Sequence, residues 1–401
     1  MRCVIVGGGA AGVTAATRIR LHDPKAEITI FEASSHFPYS RCALPYVIEG
    51  RMAQGDIAVF DEAFFQRNGI TYSRETRVDA IDREAKTVHV DSRDVPYDVC
   101  FLGLGGRPAK PPIPGIEAAH TLWTKEDAQV IGDAVQEGES AVVVGAGLIG
   151  VEVAFVLKAR GMDVTLIEAE DAILASMLDP DMAAHVEREM EAKGIRCKKG
   201  CRIEAVEEGR VQTDDGSFPF RLLVAACGVT ANTELAEQAG IAVEDGIVVD
   251  DTMRTSDSSI YAYGDCISKE AQYAKLATNA IREAELAADA ACGKDIQRSI
   301  PLNTAVTKSG NLVVGATGAR SQPGDVTATA RGSTTAHCDP GGSDIYVKLI
   351  AQKDGVLKGA QIIAPEGVVG RINWVALAIQ KGLTAEELKG AETCYNPVVS
   401  S

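Results

Sequence analysis

The chain has 401 residues, 46% hydrophobic and 24% charged, which excludes a disordered or fibrous protein and is long enough for two or three domains. Acidic residues outnumber basic ones by 56 to 40, and the net charge of −16 repels phosphate backbones and anionic bilayers, so nucleic acid and membrane surfaces are not expected partners. The ten cysteines are scattered, with neither the clustering of a disulfide scaffold nor a CxxC pair, so most are expected to be reduced core residues, and no metal site is expected.

In chain order, "CVIVGGGAAG" predicts a strand followed by GxGxxG at Gly7, Gly9 and Gly12, and "VTAATRIRL" has helical composition. A second strand, "EITIFE", ends on Glu32, at the spacing from Gly12 that a ribose-binding acid takes in such a unit. The glycines let backbone turn and approach a pyrophosphate, the helix N-terminus stabilises its charge, and the acid accepts hydrogen bonds from a ribose diol. Structure begins at the first residues, with no room for a charged and apolar leader, so a cytoplasmic location is expected.

The stretch "HFPYSRCALPYVIEG" (36–50) follows. Pro45 is tolerated only near the first turn of a helix and Gly50 suits its end, which predicts a short helix with Cys42 at its N-terminus. Free amide groups there, with Arg41 adjacent, would stabilise a thiolate, so Cys42 is expected to be redox-active.

The dinucleotide pattern then recurs. "SAVVVGAGLIG" supplies a strand with Gly145, Gly147 and Gly150; "VEVAFVLKARG" reads as the helix; "DVTLIEAED" ends a strand on Glu168, at a similar spacing from Gly150. The apolar run 141–157 is interrupted by glycines and Glu152 and reads as strand, turn and helix, not as a membrane span. One GxGxxG is a weak signal, but two copies with strand, helix and terminal acid predict two bound dinucleotides. Ala169, Glu170 and Asp171 offer no arginine to a 2′-phosphate, which favours NADH over NADPH.

At "TSDSSIYAYGDC" (255–266), with Gly264 and Asp265 after a short strand, the chain resembles the pyridine nucleotide-disulfide oxidoreductases. In that family an "IYAxGD" segment returns to the FAD domain, and "FLGLGGRP" (101–108) resembles its crossover strand. The resemblance implies an α/β fold of two Rossmann-like domains, FAD-binding (1–108 and 232–298) and NAD-binding (109–231), plus a C-terminal α+β dimerisation domain (299–401). It implies FAD on Gly7, Gly9, Gly12, Glu32, Arg41, Gly264 and Asp265. The nicotinamide cofactor would lie on Gly145, Gly147, Gly150, Glu152 and Glu168.

"RCALPYVIEG" further resembles the single-cysteine branch, closest to coenzyme A-disulfide reductases and related to NADH oxidases, peroxidases and persulfide reductases. Val47 stands where dithiol relatives carry a second cysteine, and the C-terminus lacks their histidine–glutamate pair. The branch implies a homodimer in which Tyr395, in "YNPV", reaches the partner's active site as a proton donor, and Arg20 and Arg41 contact a thiol substrate such as coenzyme A. The chain departs from the branch in "PYSR" before the cysteine, and in Ala10 where peroxidases have histidine, which disfavours peroxide reduction. A water-forming oxidase cycling Cys42 through sulfenic acid is the alternative activity, and a redox sensor or electron carrier for a protein partner the alternative of another class. Cys338 and Cys394 are candidates for an extra thiol relay or a metal site, against the plainer reading of ordinary reduced cysteines.

Overall fold

The apolar residues after Arg2 form the central strand, Arg2–Val6, of a five-stranded parallel sheet whose order is Ile260–Ala262, Val99–Leu102, Arg2–Val6, Glu27–Phe31 and Ile70–Ser73. Both sheet faces are covered, so the strands read as nearly continuous apolar runs. Cys3, Val4, Ile5, Phe101 and Leu102 are all buried. Helix Ala10–His22 packs on helix Ala277–Ala291, where Arg18 makes a bidentate pair with Asp289 at 2.6 and 2.8 Å. An antiparallel sheet of Val78–Asp82, Thr87–Val90 and Arg93–Pro96 completes this first unit.

The computed structural model describes residues 1–268, 274–296, 301–334 and 342–393. Two units emerge: the first is Met1–Ala43, Met52–Pro108 and Val229–Ile300; the second is Leu44–Arg51, Ala109–Gly228 and Pro301–Ser401. Strand Gly106–Pro108 pairs antiparallel with Val229–Ala231 where the chain leaves and re-enters the first unit.

The second unit holds a four-stranded parallel sheet, ordered Arg196–Lys198, Asp163–Ile167, Ser140–Val144, Leu222–Ala225. It also holds a five-stranded antiparallel sheet ordered Ala305–Ser309, Leu312–Gly318, Leu357–Ala364, Asp344–Ala351, Val326–Ser333. Helix Val368–Gln380 lies on that sheet through Val368, Ile372, Val375 and Ala378.

Segments 109–231 and 299–401, expected as two domains, share one compact unit almost wholly but keep their own sheets, the parallel one in the former and the five-stranded antiparallel one in the latter. Polar links tie them: Thr307 Oγ1 donates to Glu152, and the Asp179 N–H donates to Gln361. Leu44–Arg51, read as part of the first domain, belongs to the second unit, where it packs on helices Lys125–Ala134 and Leu148–Ala159.

Candidate active site

Parallel pairing aligns the carboxyl ends of the strands, and the register of the first sheet runs Ala262, Leu102, Val6, Phe31 across four strands. The next residues are therefore brought to one edge. Gly7 N–H donates to Phe31 O at 2.9 Å, Gly103 N–H to Val6 O at 2.9 Å, and Tyr263 N–H to Leu102 O at 3.1 Å. Glu32 caps the second strand and its carboxylate accepts from Gly8 N–H at 2.8 Å and Ser34 N–H at 2.8 Å. Gly264 (φ +76°) and Asp265 lie in a 3-10 turn after the last strand, so a segment from the far side of the second unit's sequence joins the glycine loop's edge.

The glycines divide by task. A Cβ on Gly7 would stand 2.1 Å from Gly103 O, and one on Gly12 would stand 2.1 Å from Gly7 O, so these two allow close backbone packing. Gly9 has nothing within 4 Å of its Cβ position, and no side chain caps the helix that starts after it. Its open side leaves helix amides available to a phosphate.

The second unit repeats this arrangement on its own sheet. Gly145 N–H donates to Ile167 O at 2.8 Å, Ala226 N–H to Val144 O at 2.7 Å, and Ala146 N–H to the Glu168 carboxylate at 2.6 Å. A Cβ on Gly150 would stand 1.8 Å from Gly145 O, while Gly147 is open and helix Leu148–Ala159 has no side-chain cap. The two glycine edges thus have the same construction, each with an acid tied to the loop by a backbone amide.

Cys42 lies in a 3-10 turn, Arg41–Ala43, and the α-helix proper is only Leu44–Glu49. The expected helix starting at Cys42 is corrected: the Pro45 ring clashes with the carbonyl four residues back, that of Arg41, so α-helical geometry cannot extend to it. The other end is as expected. Gly50 (φ +82°) ends the helix with Gly50 N–H on Val47 O and Arg51 N–H on Tyr46 O, a Schellman pattern. Before the cysteine, Val59 N–H donates to Pro38 O and Ser40 N–H to Ile57 O, which pins the loop.

Of the eight described cysteines, Cys42 alone is exposed. Cys3, Cys100, Cys201 and Cys266 are buried, and burial pushes the Cys3 and Cys266 thiols up to about 12. Those thiols stay neutral and unreactive at physiological pH.

Glu152 is a part-buried carboxylate, hydrogen-bonded by Thr307 Oγ1 at 2.6 Å; burial raises its pKa against that bond and a longer one from Lys308 N–H. Arg20 departs from its expectation. Its guanidinium donates to the carbonyls of Asn68, Asp23, Pro24 and Gly69, so it clamps the end of helix Ala10–His22 and does not offer a fork to a substrate phosphate. Arg41 is exposed. Tyr395, Cys338 and Cys394 lie outside the described residues.

Two supporting residues were not singled out from sequence. Tyr72 Oη donates to Gly8 O at 3.0 Å and props the first glycine loop; burial, with Glu32 nearby, raises its pKa. Glu283 accepts from Gly264 N–H at 2.8 Å and fixes the turn carrying Asp265. A buried glutamate on the alanine-rich face of "ATNAIREAELAADAA" is a signal that a helical projection exposes. Tyr72 gives no such signal, because an aromatic residue is ordinary in a strand.

Comparison with known proteins accords with this geometry. The pyridine nucleotide-disulphide oxidoreductase family matches residues 1–284 and its dimerisation domain matches residues 314–401. An NADH oxidase of Methanocaldococcus jannaschii is 34% identical over 100% of this chain and 96% of its own. An NAD(P)H coenzyme A polysulfide/persulfide reductase of Pyrococcus horikoshii is 28% identical over 99% of this chain and 94% of its own. Among solved structures, an NAD-dependent persulfide reductase from A. fulgidus superposes with a TM-score of 0.92 at 35% identity, covering 99% of this chain and 80% of the other. The open loops at Gly9 and Gly147, each with its acid, have the construction that accommodates a dinucleotide, the class to which FAD and the nicotinamide cofactors belong. No helix among the described residues is long and apolar enough to cross a membrane. The chain belongs to the pyridine nucleotide-disulphide oxidoreductase family and is an FAD-dependent NAD(P)H oxidoreductase.

Proposed function

We propose that this protein is a cytoplasmic, homodimeric, NADH-dependent flavoenzyme that reduces a coenzyme A disulfide, a persulfide or a similar small disulfide through Cys42. The observation that carries this reading is the exposed Cys42, among otherwise shielded described cysteines, in the unit that holds the first glycine edge. The names of the relatives from P. horikoshii and A. fulgidus support the same sulfur chemistry.

Gly7, Gly9, Gly12 and Glu32, with Gly264 and Asp265, would hold FAD; Gly145, Gly147, Gly150 and Glu168 would hold NADH, with Glu152 toward its nicotinamide. FAD, when bound, supplies the two-electron store that takes hydride from NADH and reduces the disulfide made at Cys42. The Cys42 thiolate attacks one sulfur of the substrate, forms a mixed disulfide and expels the other sulfur as a thiolate. That leaving thiolate takes a proton, a task we assign to Tyr395 of the partner protomer. One protein cysteine is enough because the substrate brings the second sulfur. The carboxylate of Glu168, followed by Glu170 and Asp171, repels a 2′-phosphate and selects NADH.

NADH consumption measured with coenzyme A disulfide, persulfides and polysulfides tests the reading. Turnover should exceed the oxygen background and fall at least a hundredfold in Cys42→Ser, about 2.7 kcal/mol of barrier, with NADH still bleaching the flavin. Rates equal to the oxygen background and unchanged in that variant would remove it. The M. jannaschii relative, an NADH oxidase by name, supports a second reading, an NADH oxidase that reduces oxygen through a Cys42 sulfenate. It predicts fast oxygen uptake without any disulfide and no accumulating hydrogen peroxide.

A further inference from the structure

The second unit contains a cavity of about 330 Å³ that neither glycine edge accounts for. Its walls are helix Leu44–Glu49, helix Leu148–Ala159 and the turn between strands Ala305–Ser309 and Leu312–Gly318. Pro45, Phe155 and Val156 give it a mainly apolar interior. Gly310 lets the turn close on this floor: its φ is +63°, and a Cβ there would stand 2.7 Å from the Phe155 ring. The volume is that of a small-molecule pocket.

Its polar lining is predominantly cationic. Arg51, Lys158, Lys193 and Lys308 face Glu49 and Glu152. Arg51 pairs with Glu49 at 3.1 Å, and Lys193 lies 3.8 Å from Glu189. Lys158 and Lys308 have no carboxylate partner among the described residues. Glu152 instead accepts from Thr307 Oγ1 at 2.6 Å and from the Lys308 N–H at 3.4 Å, and makes no ion pair with either ammonium among the described residues. Two uncompensated ammonium groups over an apolar floor attract a dianion more than a monoanion, and an apolar body more than a bare ion.

We infer that this cavity is a ligand site, distinct from the two glycine edges and sharing only Glu152 with the proposed nicotinamide site, for a phosphomonoester with a small apolar body. The phosphate lies between Lys158 and Lys308, and the body rests on Phe155 and Pro45. A bound ligand bridges helix Leu44–Glu49, which follows the Cys42 turn in the chain, to helix Leu148–Ala159.

Calorimetric titration of the full-length, flavin-loaded protein with phenyl phosphate, with and without saturating NAD+, is the test. Binding should saturate at one per chain, persist with NAD+, weaken at least tenfold in Lys158→Gln/Lys308→Gln, and survive in Lys308→Arg. Benzoate and inorganic phosphate should each bind at least tenfold more weakly. Absence of saturable binding, wild-type affinity in the double variant, or displacement by NAD+ would overturn the inference. Equal affinity for benzoate or for inorganic phosphate would overturn the assigned ligand class. None of these outcomes depends on disulfide turnover, so they are independent of the proposed reaction.

Discussion

Single residues decide which dinucleotide site a substitution affects. Gly9 and Gly147 both have ordinary φ and open space at their Cβ positions, so alanine at either leaves the backbone unstrained and fills only the side a phosphate approaches. Gly9→Ala should lower FAD retention at least tenfold, about 1.4 kcal/mol, read as flavin absorbance per chain after dialysis. Gly147→Ala should keep its flavin and raise KM for NADH by a similar factor. Glu152 makes a separate prediction, about pH. Its pKa is raised in the folded chain, so between the ordinary carboxylate range and that raised value the native state binds more protons than the unfolded state. Stability from this group is present at low pH and declines as pH rises through that window. Glu152→Gln should flatten the decline, and thermal melting of both proteins across the acid-to-neutral range measures it.

Among the elements, helix Pro180–Ala192 and strand Asp344–Ala351 are joined by a buried ion cluster. Lys348 Nζ lies 2.8 Å from Asp179 and 2.7 Å from Asp181, and the Lys348 and Asp179 side chains are 8% and 4% exposed. Burial drives Asp179 upward, but Lys348, Ser321 and Gln361 outweigh it and hold its carboxyl below the usual range. Removing only the cation strands a buried charge, so Lys348→Met should cost about 3–5 kcal/mol. A lowered denaturation midpoint is the expected result, with part of the loss restored by adding Asp179→Asn. Local punctuation also explains why the Cys42 helix is short. Proline restricts its start and Gly50 its end, and both signals are visible in the sequence, but the 3-10 geometry of Arg41–Ala43 follows from how the two constraints are met within one short segment.

For the whole molecule, the C-terminal helix carries the clearest surface signal. Val369, Trp374 and Leu377 of helix Val368–Gln380 are 54%, 42% and 51% exposed, while the opposite side of the helix is buried on its sheet. Large exposed apolar side chains grouped on one element mark an association surface, and this one lies within the family's dimerisation domain. Trp374→Asp should weaken self-association at least tenfold, seen as monomer in sedimentation velocity at concentrations where the parent chain is dimeric. If Tyr395 serves the partner's site as proposed, the same variant should lose disulfide turnover while NADH still reduces its flavin.

Much of the site could be read from the chain because its chemistry depends on local spacing. A glycine loop, a helix and the acid that ends the next strand are parts of one βαβ unit, so Gly7 to Glu32 and Gly145 to Glu168 are identified without knowing what lies across the sheet. Asp265 was reachable only through its family resemblance, since nothing local connects it to Gly7. The amino-acid order was therefore enough for the two glycine loops with their acids, for singling out Cys42, and for the proline and glycine around it. It was not enough to show that Arg20 is consumed by loop carbonyls, that Tyr72 and Glu283 brace the loops, or that residues 44–51, 152–159 and 308–311 wall one cavity. Those facts belong to the folded chain because the side chains involved lie far apart in sequence and share no periodicity, and strand register and helix packing alone bring them within hydrogen-bonding reach.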